Sequence, residues 1–334
     1  MEQIISFIKE NGGSHLSHLI LLQDKDVFWA QQQKVLIIYR QIGNKLVVLG
    51  DPLGNEALFS DAINEFHRFS ERLGAKPIFY QTTPNFMHNY HDAGFRFLKL
   101  GEEGIVNLQN FTLEGKKGAK LRTRLNKFTR NGHVFRVIHP PYTDDLLTDL
   151  KRISDSWLGN QREKGFSVVS FSQEYVSSFP IALLYDPTGQ IIAFATLATD
   201  CKQTLIIDLM RKSSDSPHGT MDVLFIQIFK WAKENGYQRC SLGVAPLANV
   251  GSSKYSFKSE KLLRLAYLHG SSLYKFQGLR EFKSKFACTW EPKYLAYKKT
   301  TPPVVIVQLL LLINSQPHPK YVVKKFKYLF TKAG

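Results

Sequence analysis

KKGAKLRTRLNKFTRNGHVFR, residues 116–136, contains no acid, and its reading decides how the rest of the chain is divided. Wound as a helix, it places Leu121, Leu125 and Phe128 on one narrow apolar stripe at i, i+4, i+7. Lys116, Lys117, Lys120, Arg124, Lys127 and Arg130 share a neighbouring arc. Like charges at i,i+3 and i,i+4 destabilise an isolated helix, so the arc makes most physical sense with a polyanion to neutralise it. A solvated linker helix is the plainer alternative. The segment lies between two halves that share one order of elements.

Before it, Val35 to Tyr39 and Leu46 to Leu49 are β-rich runs around Ile42-Gly43-Asn44, which reads as a hairpin. The loop DPLGN leads to an amphipathic helix over Glu56 to Leu73, stopped by Gly74, and then to a strand at Pro77 to Gln81. Pro84 to Ala93 reads as a short helix closed by Gly94, with strands at Phe95 to Leu100 and Ile105 to Leu108. After residue 133 the grammar returns: a strand at Val134 to Ile138, a helix over Thr143 to Leu158, and a hairpin of Ile181 to Tyr185 with Ile191 to Thr199. A strand at Thr204 to Met210, a helix over Met221 to Glu234 stopped at Asn235-Gly236, and a strand at Arg239 to Leu242 follow. The pattern predicts a duplicated α/β unit without a GxGxxG dinucleotide fingerprint.

With 334 residues, a length prior of about two domains applies. The net charge of +16 points to nucleic acid, an anionic membrane, or both. Cys201, Cys240 and Cys288 share no metal-ligand spacing, and the pairs His15/His18 and His88/His91 are joined by no carboxylate or thiol pattern, so no metal site is expected. Val304 to Ile313 (VVIVQLLLLI) is about half a bilayer span. With the basic and apolar residues from Lys320 onward it suits an anionic lipid surface, or equally a core element followed by a basic tail.

The order of elements resembles the GNAT acyltransferase fold, an α/β (α+β) class, with two tandem copies joined by the basic helix. The boundaries expected are 1–112 for the first GNAT-like domain, 113–132 for the linker helix and 133–334 for the second, catalytic domain with its basic tail. In that fold a Gly-rich turn cradles the coenzyme A pyrophosphate at a helix N-terminus. Here the turn is KSSDSPHGTMD, with Gly219 as its only glycine, so the donor is not expected to be coenzyme A and no cofactor is expected.

The stretches RTRLNKFTRNG, EKGFSVVSFSQEYV, IIDLMRK, SLGVAPLANVG and YKFQGLREFKSKFACTWEPKYLAY together resemble the C-terminal domain of lysylphosphatidylglycerol synthase, the multiple peptide resistance factor family. The resemblance implies transfer of a lysyl group from lysyl-tRNA to phosphatidylglycerol at the cytoplasmic face of a bacterial membrane. It also implies a membrane-spanning flippase part elsewhere in a longer protein, and resistance to cationic antimicrobial peptides. Other readings are a tRNA-dependent peptidoglycan cross-bridge transferase, alanyl in place of lysyl specificity, or a nucleic-acid or anionic-membrane binding module.

Asp208 and Arg211 stand at the end of a strand, where open α/β sheets bind ligands. An acid there can grip an ammonium, and a guanidinium a phosphate or a developing oxyanion; a local salt bridge is the structural alternative. Glu260 is a second acid suited to a lysyl ammonium, and Glu163 a weaker one. Tyr274, Arg280 and Lys283 mix aromatic and basic character suited to a lipid phosphate, while a surface helix packed through Phe282 and Phe286 explains Arg280 and Lys285 as well. Gly243 and Pro246 are placed just after a strand, where backbone N–H groups could face a carbonyl oxygen. Lys116, Lys120, Arg124, Lys127 and Arg130 are the expected tRNA contacts.

Overall fold

A computed structural model describes residues 1–269 and 276–315. In chain order it opens with α1 (Glu2–Asn11), β1 (Asp26–Ala30), β2 (Val35–Ile42), β3 (Lys45–Leu49), β4 (Leu53–Gly54), α2 (Phe59–Arg72), β5 (Lys76–Thr82), α3 (Met87–Asp92) and β6 (Arg96–Asn107). Next come α4 (Gly115–Arg130), β7 (Val134–Ile138), α5 (Asp144–Leu158), α6 (Gln173–Val176), β8 (Ile181–Tyr185), β9 (Ile191–Thr199), β10 (Thr204–Lys212), α7 (Thr220–Glu234) and β11 (Arg239–Pro246). The described chain closes with α8 (Lys258–His269), α9 (Phe276–Ser284), β12 (Thr289–Tyr297) and α10 (Pro302–Asn314). The class is mixed α/β, as expected. The residues form two compact units, both discontinuous: the first holds 1–105, 165–168 and 242–315, the second 106–164 and 169–241.

In the first unit β2 and β3 form the expected antiparallel hairpin, and β3 runs parallel to β5 with α2 as the crossover. Helix α2 buries Phe59, Ala62, Ile63 and Phe66 at the spacing that faces one side of a helix. Ile63 and Phe66 pack with Val48, Phe79, Tyr90 and Phe95, and the Phe79 and Tyr90 rings lie 4.8 Å apart. Strand β12 inserts antiparallel between β5 and β6. The two strands expected at 95–100 and 105–108 are a single long one, β6, because Gly101 acts as a point of close approach and not as a turn. A Cβ there would sit 2.4 Å from the Ala245 carbonyl oxygen.

The second unit repeats the theme. Strands β7, β8, β9 and β10 pair antiparallel in succession, and β10 then pairs parallel with β11 after the crossover helix α7. Leu121, Leu125 and Phe128 of α4 are buried as their spacing predicts, and α4 packs against α7. Among the described residues no helix is long and apolar enough to cross a membrane.

Candidate active site

The second unit holds its chemistry on a defect in β10. Ile207 pairs with Leu197 but Met210 pairs with Ala195, so one extra residue is accommodated on β10 around Asp208 and Leu209. A bulge strips a backbone N–H of its ladder partner, and here the Thr196 hydroxyl oxygen accepts the Leu209 N–H at 3.0 Å. Parallel pairing with β11 runs from Thr204↔Arg239 to Ile206↔Ser241, which leaves Asp208 and Arg211 beyond its end. The strand expected to stop at Met210 in fact continues through Arg211 to Lys212.

Around this bulge the side chains form a connected charge system. The buried Tyr175 hydroxyl donates to Asp208 Oδ2. Arg211 Nη2 donates to Glu163 Oε2 at 3.2 Å, while Glu163 Oε1 accepts the Phe171 N–H at 3.2 Å. Burial pulls the Arg211 pKa down from its ordinary value, and the charges of Glu163 and Asp208 oppose that pull. Arg211 Nε is buried with no hydrogen-bond partner among the described residues. An unused guanidinium N–H in a partly dry place costs free energy unless something arrives to accept it. Asp208, Arg211 and Glu163, all read as candidates from the sequence, are thus brought together. Tyr175 and Thr196 were missed; Tyr175 lies in the stretch EKGFSVVSFSQEYV, and nothing in its own spacing marks it.

The first unit carries a second polar cluster. Lys283 of α9 is 5% exposed and donates to the Val244 carbonyl oxygen at 2.9 Å. Burial lowers its pKa from 10.5 to about 7, with the charge of Glu103 acting the other way. Glu103, 2% exposed, pairs with Lys293 at 2.7 Å and lies 3.6 Å from His15. Burial lowers the His15 pKa to about 4, so that ring is neutral at pH 7. Glu102 faces other partners: Arg280 at 2.8 Å, Lys99 at 2.8 Å and Asn249 at 2.9 Å. Burial alone would raise its pKa, but the hydrogen bonds from Lys99 and Arg280 hold it below the ordinary value. Arg280 also stacks on Trp290, 3.3 Å from the ring centroid.

Glu260, partly exposed on α8, accepts the Lys99 backbone N–H at 3.3 Å. Gly243 and Pro246, expected just after a strand, lie within β11, which runs on to Pro246. Gly243 has φ +73°, and a Cβ there would come 3.7 Å from Lys283 Nζ. Tyr274 lies outside the described residues.

On α4, Lys116, Lys120, Lys127 and Arg130 are exposed. Arg124 differs: its guanidinium pairs with the buried Asp222 of α7 and lies 2.9 Å from His218 Nε2.

The family model for "Phosphatidylglycerol lysyltransferase, C-terminal" matches residues 6–297. The phosphatidylglycerol lysyltransferase of Bacillus subtilis is 44% identical over 299 residues, 89% of this chain and 35% of that protein. That of Staphylococcus aureus (strain COL) is 39% identical over 300 residues, 90% of this chain and 36% of that protein. The chain therefore spans about a third of the length of these curated relatives. Among solved structures, L-PGS from Bacillus licheniformis aligns with TM-score 0.84 and 41% identity, covering 94% of this chain and 97% of that one. FemX aligns with TM-score 0.58 at 9% identity, covering 92% and 98%, a likeness of fold alone. With the family model covering most of its length and relatives near 40% identity, this chain belongs to the phosphatidylglycerol lysyltransferase C-terminal domain family.

Proposed function

We propose that this chain is the catalytic domain of a longer aminoacyltransferase that moves a lysyl group from lysyl-tRNA to a glycerol hydroxyl of phosphatidylglycerol. The observation that carries the reading is the Asp208–Arg211 bulge, with a guanidinium N–H buried and unused. Family membership and the names of the relatives support the lysyl group and the lipid. The reaction is a transesterification: the glycerol oxygen adds to the ester carbonyl, the bond to the tRNA ribose oxygen breaks, and the hydroxyl proton passes to that leaving oxygen. Asp208, oriented by Tyr175, holds the α-ammonium of the aminoacyl group. Arg211, steadied by Glu163, offers its charge to the tetrahedral oxyanion or to a phosphate. Because the ester is already activated, alignment and charge stabilisation supply the rate.

Glu260 is assigned to the lysyl ε-ammonium and Lys283 to the lipid phosphate. An arriving phosphate would raise the Lys283 pKa again and fix its charge. Lys116, Lys120, Lys127 and Arg130 present exposed charge suited to tRNA phosphates, with the cytoplasmic face of the membrane as the place of action and a membrane-spanning flippase domain as the covalent neighbour. Lowering of membrane negative charge, and with it resistance to cationic peptides, is the proposed consequence.

Incubation with labelled lysyl-tRNA and detergent-dispersed phosphatidylglycerol, followed by lipid extraction, tests the reading. Label is expected in an aminoacylated phosphatidylglycerol and lowered about a hundredfold or more in an Asp208→Ala control. Label in a peptidoglycan precursor alone, or in neither, overturns it.

A further inference from the structure

Helix α8 and the loop before it expose large apolar side chains to an unusual degree. Tyr255 is 83% exposed, Phe257 74%, Leu262 63% and Leu265 54%, with Leu268 at 44%. On a helical wheel Leu262, Leu265 and Leu268 fall on one arc of about 120°. Lys258 and Lys261 fall within that same arc, between the leucines, and Arg264 lies about 40° beyond it, between Leu268 and Glu260. The opposite face is turned to the protein. Glu260, the one acid between residues 254 and 268, lies there and accepts the Lys99 backbone N–H.

Among the described residues no ion pair joins Lys254, Lys258, Lys261 or Arg264 to an acid. Lys261 donates to the Lys254 carbonyl oxygen at 2.8 Å, and Arg264 donates to those of Gly251 and Ser252 at 3.3 and 3.1 Å. These bonds tie the loop to the helix and leave the charge in place. Lys254 lies over the Tyr255 ring, 4.8 Å from its centroid. A face that mixes leucine and aromatic rings with uncompensated lysine and arginine is poorly suited to water. A protein core would have to desolvate the charges, whereas the boundary of an anionic bilayer accepts both kinds of side chain at one depth. The exposed arc of α10, with Val304, Val307, Leu310 and Leu311, carries no charge and gives no comparable sign of what covers it.

We infer that the outer face of α8, with Tyr255 and Phe257, is a docking surface for an anionic lipid bilayer. It deepens the phosphatidylglycerol reading above and rests on it for the sign of the lipid charge. It gives the chain a second relation to lipid, with the bilayer surface, separate from capture of a substrate headgroup. Every leucine that enters the acyl boundary adds apolar burial, and every cation adds attraction to lipid phosphate, so both kinds of change should weaken the contact.

Flotation with vesicles of phosphatidylglycerol and phosphatidylcholine in equal parts, without tRNA or turnover, tests it on the chain as described. Leu262→Ser with Leu265→Ser, and separately Lys254→Glu with Lys258→Glu, should each lower vesicle affinity at least about tenfold. Melting temperatures should not move, because the altered side chains are exposed, and transfer to detergent-dispersed lipid should persist. Unchanged vesicle binding by both variants overturns the inference, as does equal binding of the parent chain to pure phosphatidylcholine. Loss of a concentration-dependent dimer in the leucine variant, with vesicle binding intact, also overturns it and makes a second copy the occupant. If the parent chain binds anionic vesicles yet transfers no lysyl group, the transferase reading fails and the docking surface stands.

Discussion

Arg211 in one unit is a partly buried cation and Lys283 in the other a fully buried one, and the chain treats them in opposite ways. Arg211 is lowered from an ordinary value so high that it keeps its charge, and Glu163 and Asp208 reinforce it. Among the described residues Lys283 has no direct acid contact to match; its hydrogen bond goes to a neutral carbonyl, and burial brings its pKa to about 7. A guanidinium spreads its charge over three nitrogens and tolerates loss of water, while an ammonium concentrates the charge and titrates instead. The first arrangement makes a permanent electrostatic fixture. The second makes a group whose charge depends on what arrives.

The sharpest way to break this contrast is to remove the fixture. Arg211→Ala and Asp208→Ala should each lower lysyl transfer about a hundredfold or more, since a charge-assisted contact in a water-poor site is worth a few kcal/mol. Arg211→Lys should fare little better, because a lysine placed there would lose the forked contact. Near-normal turnover by folded Arg211→Lys would show that any cation suffices and remove the distinction.

Helix α4 offers the same contrast in stability. Arg124→Ala leaves Asp222, 3% exposed, without its guanidinium, and should destabilise the fold by about 3 kcal/mol in chemical denaturation. Replacing Lys120, Lys127 and Arg130 with Gln should leave the denaturation midpoint in place, and should instead flatten the salt dependence of the KM for lysyl-tRNA by up to about one slope unit per lost contact. A stability loss shared equally by both variants would make the whole arc structural.

Lys283 predicts a pH dependence with a fixed sign. Its folded pKa of about 7 lies below the unfolded value near 10.5, so between those values the unfolded chain binds more protons. The Lys283 contribution therefore makes stability rise with pH from about 7 toward 10.5. In Lys283→Met that rise should vanish, and the KM for phosphatidylglycerol should increase if the ammonium holds the lipid phosphate. A pH profile identical to the parent's would return Lys283 to an ordinary charged state. The smallest effect belongs to the bulge: Thr196→Val strands the buried Leu209 N–H and should cost about 1 to 2 kcal/mol in unfolding experiments.

Local pattern carried much of the architecture. The apolar stripe of α4, the hairpin at β2 and β3, and the crossover helices α2 and α7 follow from periodicity, turn residues and helix stops, because those signals act between residues a few positions apart. Asp208 and Arg211 were legible for the same reason, as charges at the end of an apolar strand. Neither their environment nor Lys283's was. The extra residue in β10 depends on the register with β9, and its repair depends on Thr196. The hydroxyl that steadies Asp208 belongs to Tyr175, 33 residues away in the chain.

The sequence by itself determined the repeated α/β grammar, the basic arc and which charged side chains stand at strand ends. Tertiary structure decided which of those charges are available. It neutralised Arg124 against Asp222, left Lys127 and Arg130 in solvent, buried Lys283 until it titrates near neutrality, and placed β12 between β5 and β6. The physical reason is one of range. Helix and strand propensities are set by near neighbours, whereas desolvation and ion pairing are set by whatever the rest of the chain packs against a group, and no local pattern records that.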